Sequence, residues 1–179
     1  MATLVSNLLV FSRRSHQQLS TLDLCEELSN TLDFIQYHLR SLNIEIVKDC
    51  PHPVPTVQGD QQQLRQVFLN LITNASDAMP DGGTLTVRSR TSLMPTGKPA
   101  VVIEVSDTGS GVKTGDLPKL WEPFFTTKPE GKGTGLGLAI CRRTVEEHRG
   151  TIEIETHPGK GTTVRITLPA TDNGSEVVT

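Results

Sequence analysis

The most regular hydrophobic pattern in the chain lies between Asp60 and Met79. Apolar side chains recur there every three or four residues, at Leu64, Val67, Phe68, Leu71, Ile72, Ala75 and Met79. This period is typical of an amphipathic α-helix, and the sequence Pro80-Asp81-Gly82-Gly83 ends it. Further helices are predicted from about Cys25 to Leu42 and from Leu136 to Glu147.

Other segments alternate between apolar and polar side chains, which is the pattern of strands with one buried face. The apolar positions of these segments are Ile44 and Ile46, Leu85 and Val87, Val101, Ile103 and Val105, Ile152 and Ile154, and Val164, Ile166 and Leu168. The strands of a doubly wound parallel sheet would instead be apolar throughout. The sequence therefore predicts an α/β fold, a two-layer sandwich with a mixed, mostly antiparallel sheet and helices packed on one face.

The two ends of the chain differ from this central part. Near the N-terminus, a short apolar stripe at helical spacing is too short to have a core of its own: Leu4, Val5, Leu8, Leu9 and Phe11. The C-terminal sequence TDNGSEVVT has no period and is expected to be disordered. With 179 residues, the chain has room for one good-sized domain. We place that domain at 21–169, between a helical segment at 1–20 and a tail at 170–179.

Composition excludes several classes of function. The net charge is -3 and the basic residues form no run, which argues against a nucleic-acid partner. The 3 cysteines are far apart and odd in number, so a reduced, cytoplasmic setting is favoured over a secreted disulfide framework. The longest apolar stretches are too short for a membrane span, and no signal-peptide pattern is present. We expect no membrane contact.

Polar residues on the central helix are the first candidates for chemistry. Asn70 and Asn74 lie one turn apart at the edge of the apolar face, with Asp77 a further turn along. Asparagine is a poor helix former, so two of them at one boundary indicate a ligand, such as a hard cation bound through the amide oxygens. Two ordinary boundary polar residues would explain the same pattern.

A carboxylate at a strand end is the second candidate. Val101, Ile103, Val105 and Asp107 share one face of the predicted strand, and Gly109 and Gly111 follow. A buried carboxylate needs partners, and the amine and adjacent ring nitrogen of adenine would meet it directly and through water. An Asx-turn at the strand end is the alternative.

The glycine-rich sequence GKGTGLGL at 131–138 is the third candidate. It fits neither the dinucleotide-binding fingerprint nor the P-loop. Backbone N–H groups at the start of the following helix would favour an anion such as a triphosphate, and the glycines would allow close approach and a mobile lid. A flexible loop with turn-forming glycines would look the same.

The order of the motifs along the chain is more informative than any single motif. The chain contains, in order, NLITNASD at 70–77, DTGSG at 107–111, WEPFFTTK at 121–128, GKGTGLGL at 131–138 and GKGTT at 159–163. They resemble the N, G1, F, G2 and G3 boxes of the catalytic and ATP-binding domain of sensor histidine kinases, a Bergerat ATP-binding fold of the GHKL superfamily. The resemblance covers about Leu22 to Pro169. NLITNASDAM and NLLVFSR most resemble the nitrogen-regulation type.

The resemblance implies ATP and Mg²⁺ as ligands and a role for each candidate residue. Asn74 would coordinate Mg²⁺ between the phosphates, with Asn70 alongside, and Asp107 would hold the adenine amine. The base pocket would be shaped by Gly109, Gly111 and Val112, with Thr163 near the adenine.

Further roles are implied at the phosphates. Backbone amides would come from Gly133, Gly135, Leu136 and Gly137. Phe124 and Phe125 would anchor the lid, and Lys128 would either reach the terminal phosphate or be a solvated lysine. Asp77 stands where many family members carry a basic or polar residue, so a direct phosphate contact there is an open point.

The same resemblance implies a histidine kinase, which transfers the γ-phosphoryl group of ATP to a histidine followed by an acidic residue in a separate helical hairpin. None of the 5 histidines here is followed by an acidic residue. We therefore expect a catalytic fragment whose residues 1–20 are the end of the hairpin's second helix. Its own dimerisation hairpin, a response regulator and a homodimeric full-length protein are the implied partners.

Two other functions are compatible with this fold. DNA gyrase, mismatch-repair and heat-shock chaperone ATPases resemble it, but they use a catalytic glutamate in the N-box helix. No glutamate occurs here between Gln61 and Met79. A regulatory ATP-binding module of the anti-sigma type would act by gripping a partner instead.

Overall fold

A computed structural model describes residues 18–51, 53–129 and 133–171. The strands are β1 (Leu19–Leu22), β2 (Ile44–Asp49), β3 (Val57–Asp60), β4 (Gly83–Leu93), β5 (Pro99–Asp107), β6 (Thr151–His157) and β7 (Gly161–Pro169). The α-helices are α1 (Leu24–Ser41), α2 (Gln61–Asp77) and α3 (Gly137–Glu147), and a 3₁₀ helix covers Thr114–Lys119. The three predicted helices are confirmed, each within a few residues at either end.

The strands form one large sheet and one small ribbon. The 5-stranded sheet has the order β2-β4-β5-β7-β6, in which only β2 and β4 run parallel. β1 and β3 pair antiparallel as a separate 2-stranded sheet. The helices pack on one face of the large sheet, so the predicted two-layer sandwich with a mostly antiparallel sheet is confirmed.

The core lies between the helices and this face of the sheet. The apolar side of α2 is almost completely buried there, through Leu64, Val67, Phe68, Leu71 and Ile72. Val101, Ile103 and Val105 of β5 belong to the same cluster. Burial of each large apolar side chain contributes about 1.5–3 kcal/mol, so α2 and β5 are fixed relative to each other.

Hydrogen bonds at the start of α2 connect it to the end of α3. The carboxylate of Asp60 caps α2 by accepting from the amide of Gln63 at 3.0 Å. The Asp60 amide donates to His148 Nε2 at 2.9 Å, and His148 Nδ1 lies 2.7 Å from the Thr144 carbonyl oxygen. Both ring nitrogens of this buried histidine therefore form hydrogen bonds, Nε2 as the acceptor and Nδ1 as the donor.

β5 is buried on both of its faces. On the side away from the helices, Glu104 pairs with Arg90 and with Arg165, whose Nε donates to the carboxylate at 2.7 Å. Hydrogen bonding to Glu104 raises the pKa of Arg165. The long arginine side chains come from the neighbouring strands and help to cover the centre of this face.

The predicted domain boundaries need correction at both ends. Leu19 and Ser20 are not the end of a helix but belong to β1. At the other end, the amides of Ala170 and Thr171 donate to the carbonyls of Pro99 and Thr56, at 2.9 and 2.7 Å, so these residues continue the fold. Residues 1–17 and 172–179 lie outside the described residues. Within the described ranges, no helix is both long and apolar enough to cross a membrane.

Replacement of Phe68 by alanine tests the core. Phe68 is 0% exposed, so Phe68→Ala should lower the free energy of unfolding by about 3–5 kcal/mol through lost burial and an unfilled cavity. Urea denaturation followed by circular dichroism measures this. Phe34, on α1, is 82% exposed and provides the control: Phe34→Ala should change stability by no more than about 0.5 kcal/mol. Equal losses in the two variants would contradict this assignment of the core.

Candidate functional site

A cavity of about 600 Å³ opens between α2, the ends of β5 and β7, and the residues that precede α3. Most of the predicted site residues line it: Asn70, Asn74, Asp77, Asp107, Gly111, Val112, Lys128, Gly133, Gly135 and Gly137. The structure thus brings together residues from four of the sequence motifs, and Thr162 of the fifth motif, GKGTT, also lines the cavity. Gly109, Leu136 and Thr163 do not line the cavity.

Asp107 lies at one end of the cavity, where β5 stops. Its Oδ1 accepts from the amides of Gly109, at 2.8 Å, and Thr162, at 3.2 Å. Burial raises the pKa of the Asp107 carboxyl group above its ordinary value of 3.8, and these two hydrogen bonds only partly oppose the increase. Asp107 therefore forms the Asx-turn and also presents a partly buried acceptor.

Apolar side chains form the walls next to this carboxylate. Val105, Val112, Ile154 and Val164 line the cavity. The position of Val112 is fixed by its amide, which donates to Thr156 Oγ1 at 2.9 Å. Aliphatic walls beside a single acceptor suit a flat heteroaromatic ring with an exocyclic amine.

The prediction for Thr163 is wrong, and Thr162 takes its place. Thr163 Oγ1 lies 2.8 Å from Ser106 Oγ on the face of the sheet away from the helices, whereas Thr162 lines the cavity. The alternation of side chains along the strand could have predicted this, because Val164 faces the core and Thr162 lies on the same side of the strand. Gly161 precedes it with a φ of +102°, and a Cβ there would lie 1.9 Å from the carbonyl oxygen of Asp107.

Gly109 and Leu136 do not line the cavity but pack next to residues that do. Gly109 donates its amide to Asp107, and a Cβ on it would lie 2.4 Å from the carbonyl oxygen of Ala78, just after α2. The Leu136 side chain is fully buried, and its amide lies 3.4 Å from Thr134 Oγ1. A contact between this amide and a phosphate remains a prediction.

The N-terminus of α3 forms the other end of the cavity. Asn70 Nδ2 donates to the carbonyl of Gly137, the first residue of α3, at 3.4 Å, while its Oδ1 accepts from Gln66 Nε2 at 3.0 Å. Asn70 therefore ties α3 to α2, and its amide oxygen already has a donor. Free N–H groups at a helix start favour an anion, and this one faces the cavity.

Asn74 and Asp77 present oxygen atoms beside that helix start. Lys128 Nζ lies 3.2 Å from Asn74 Oδ1 and 2.5 Å from Asp77 Oδ2. Amide and carboxylate oxygens are ligands that hard cations prefer, and here they already hold a cationic group. Among the described residues, no group of three or more histidine, cysteine or acidic side chains could hold a metal ion.

The backbone before α3 is held by an unusual pair of residues. The Phe124 amide donates to the Gly135 carbonyl at 2.9 Å, and both residues have positive φ, of +70° and +65°. A Cβ on Gly135 would lie 2.3 Å from the Phe124 carbonyl carbon, so only glycine fits. Phe125 lines the cavity, whereas the Phe124 side chain is 65% exposed and is held through its backbone.

The raised pKa of Asp107 predicts a pH-dependent cost to stability. The native state binds this proton more tightly than the unfolded state, so stability falls as the pH rises from about 3.8 through the raised pKa. Asp107→Asn keeps an acceptor oxygen without the charge and should be more stable than the parent at pH 7. Urea denaturation across pH should show this advantage shrink as the pH falls towards 3.8. A variant that is less stable at every pH would contradict the prediction.

Comparison with known sequences gives a consistent result. A family model described as histidine kinase-, DNA gyrase B- and HSP90-like ATPase matches residues 59–172. Sensor kinase CckA of Brucella abortus (strain 2308) is 41% identical over 180 residues, which cover 94% of this chain and 19% of CckA. Sensor histidine kinase ZraS of Escherichia coli (strain K12) is 35% identical over 165 residues, 92% of this chain and 34% of ZraS. The chain thus spans about a fifth to a third of the lengths of these relatives.

Solved structures agree with the sequence comparison. Full-length ShkA in complex with AMPPNP superposes with a TM-score of 0.77 at 28% identity, over 94% of this chain and 35% of ShkA. The catalytic domain of histidine kinase ThkA gives 0.74 at 27% identity, over 86% of this chain and 96% of that domain. ThkA in complex with the response regulator protein TrrA gives 0.78 at 25% identity, over 95% of this chain and 47% of ThkA. Because the family model matches more than half of the sequence and the fold agrees, the chain belongs to the histidine kinase-, DNA gyrase B- and HSP90-like ATPases.

Proposed function

We propose that this chain is the ATP-binding catalytic domain of a two-component sensor histidine kinase. It binds ATP with the adenine at Asp107 and the phosphates at the start of α3, and it transfers the γ-phosphoryl group to a histidine. One observation carries the proposal: a cavity has a partly buried carboxylate at one end and a helix N-terminus with an adjacent cationic group at the other. The relatives named as sensor kinases support it.

At the adenine end, the chain provides hydrogen bonding and shape. The Gly109 and Thr162 amides hold Asp107 Oδ1, so its other carboxylate oxygen is directed to the exocyclic amine of adenine. Aliphatic walls exclude water from the ring, which strengthens this hydrogen bond. A guanine base would present a carbonyl oxygen in place of the amine and would be rejected by the carboxylate.

At the phosphate end, we propose that Asn74 Oδ1 is a ligand for Mg²⁺. The amide oxygen faces the cavity and already accepts from a cation, which fits this role. When bound, Mg²⁺ supplies neutralisation of the charge that develops on the phosphates during transfer. The chain's own share is positioning: α3 directs its first N–H groups at the phosphates, and Lys128 adds a positive charge within reach of the terminal one.

We propose that the accepting histidine lies in a helical hairpin outside this chain. His148 is buried with both ring nitrogens in hydrogen bonds, so it is unsuited to accept a phosphoryl group. In this proposal residues 1–18 lead from the hairpin, the full-length protein is a cytoplasmic or membrane-attached homodimer, and a response regulator takes the phosphoryl group onward. The complex of ThkA with TrrA supports that last partner. The nitrogen-regulation type remains a prediction from the sequence.

Calorimetry with AMPPNP tests nucleotide binding. The parent should bind AMPPNP, and Mg²⁺ should tighten binding. Asn74→Ala should lose most of this Mg²⁺ effect, because the metal ligand is removed. Asp107→Asn should lose its preference for adenine over guanine nucleotides, by about tenfold or more, since the acceptor for the amine is replaced. Absence of binding by the parent at every Mg²⁺ concentration would refute the proposed function.

Phosphoryl transfer separates the remaining alternatives. A purified hairpin domain from a related sensor kinase, incubated with this chain and Mg·ATP, should acquire phosphohistidine detectable by mass spectrometry. Stable phosphohistidine on the chain alone would overturn the assignment of an external acceptor. Rapid ATP hydrolysis without transfer would favour an ATPase, and binding with neither transfer nor hydrolysis would favour a regulatory module.

Gly135→Ala tests the backbone before α3. An alanine at a φ of +65° costs about 1–2 kcal/mol, and its Cβ would collide with Phe124, so the residues before α3 must shift. We expect AMPPNP binding to weaken by about tenfold or more. Gly115, in the 3₁₀ helix, has open space where a Cβ would lie, and Gly115→Ala is the matched control, with no expected change. Equal affinities of the two variants would contradict a role for this backbone.

A further inference from the structure

The ammonium group of Lys128 lies between two side chains of α2. Nζ donates to Asn74 Oδ1 at 3.2 Å and to Asp77 Oδ2 at 2.5 Å. All three residues line the cavity, and the lysine and aspartate side chains are 31% and 41% exposed. The contact therefore places a positive charge at the cavity wall, beside the oxygen proposed for Mg²⁺.

Neighbouring residues fix Lys128 in this position. Its amide donates to Thr126 Oγ1 at 3.1 Å, which holds the backbone. A Cβ on Gly133 would lie 3.2 Å from Lys128 Cδ and 2.5 Å from Thr126 Oγ1, so the absence of a side chain there makes room for the lysine. Asp77 is the last residue of α2, where the exposed carbonyls also favour a cation.

Asn74 Oδ1 faces two cations if Mg²⁺ binds as proposed. An ammonium group and a magnesium ion in contact with the same oxygen would repel each other strongly, since a partly enclosed cavity screens charge less than water does. Lys128 and Mg²⁺ therefore compete for Asn74.

The Asp77 carboxylate is poorly suited to direct contact with phosphates at this end of the cavity. A carboxylate next to phosphates repels them unless its charge is neutralised. Its contact with Lys128 supplies that neutralisation and at the same time directs the ammonium group towards Asn74. Asp77 thus acts on the site through Lys128.

We propose that Lys128 is a resident cation that competes with Mg²⁺ for Asn74, and that Asp77 is the positioning residue that keeps it there. The inference rests on the proposed function. When Mg²⁺ takes Asn74, Lys128 is displaced from that oxygen and is available to the nucleotide phosphates. The pair therefore sets how much Mg²⁺ the chain needs to hold its nucleotide.

AMPPNP binding measured by calorimetry over a series of Mg²⁺ concentrations tests the competition. Lys128→Met should weaken binding in the absence of Mg²⁺ by about tenfold, because one positive charge near the phosphates is lost. Mg²⁺ should increase AMPPNP affinity, and the Mg²⁺ concentration that gives half of this increase should be about fivefold or more lower than in the parent, because Lys128 no longer competes for Asn74. If Lys128→Met left the Mg²⁺ requirement unchanged, the proposed competition would be overturned. The proposed function would still stand in that case, provided that the parent binds AMPPNP.

The Asp77 variants show whether this residue acts through the lysine. Asp77→Asn releases Lys128 and should also lower the Mg²⁺ requirement. The double variant Asp77→Asn/Lys128→Met should match Lys128→Met, because no lysine remains to be positioned. If Asp77 instead served Mg²⁺ directly, Asp77→Asn would raise the requirement in both backgrounds, and the positioning role would be refuted.

A matched lysine controls for net charge. Lys98 is exposed at the β4–β5 hairpin, at the opposite end of β5 from Asp107. Lys98→Met should leave both the metal-free affinity and the Mg²⁺ requirement unchanged, and equal effects of Lys98→Met and Lys128→Met would overturn the proposal. Thermal unfolding without nucleotide should show that every variant is folded. No binding of AMPPNP by the parent would overturn the proposed function and this inference together.

Discussion

Burial of one face of α2 against the sheet is the constraint on which the rest of the structure depends. Phe68 and Leu71 are at most 2% exposed, so the helix can neither rotate nor slide without opening the core. Asn74 lies on the adjacent side of the same helix, and its direction is therefore set by apolar packing. Asp107 ends a strand whose preceding residues, including Val105, fill the same core. The two ends of the cavity are thus positioned by one hydrophobic cluster.

The site keeps charges that cost the fold stability. Burial of the Asp107 carboxyl group raises its pKa, and only two backbone amides offset its loss of water. Elsewhere in the sheet the more deeply buried carboxylate of Glu104 pairs with both Arg90 and Arg165. The proposed function accounts for this difference, because a carboxylate that binds a ligand has to leave part of its hydrogen-bonding capacity unused within the protein.

Much of this arrangement follows from sequence periodicity, and the exceptions have physical causes. The helical period and the parity of β5 are sufficient to place Asn74 and Asp107, because long amphipathic segments have one way to bury their apolar face. The 4-residue strands β1 and β3 are too short to show an alternation and were not predicted. The contact of Lys128 with Asp77 joins residues 51 positions apart in chain order, and no local pattern contains it. Thr163 was misplaced by a motif, although its own strand parity puts it on the other face.

The distance between the two ends of the site is set by helix packing rather than by the glycine-rich residues. α3 has 11 residues, a length of about 16 Å, and is tied to α2 near both ends. Asn70 bonds to Gly137 at its start, and His148, just past its end, accepts from Asp60 at the start of α2. Because α2 is fixed on the sheet, the helix N-terminus is held at a constant distance from Asp107. In the proposed function, the glycines before α3 then have a narrower role, which is to let the backbone approach the nucleotide closely.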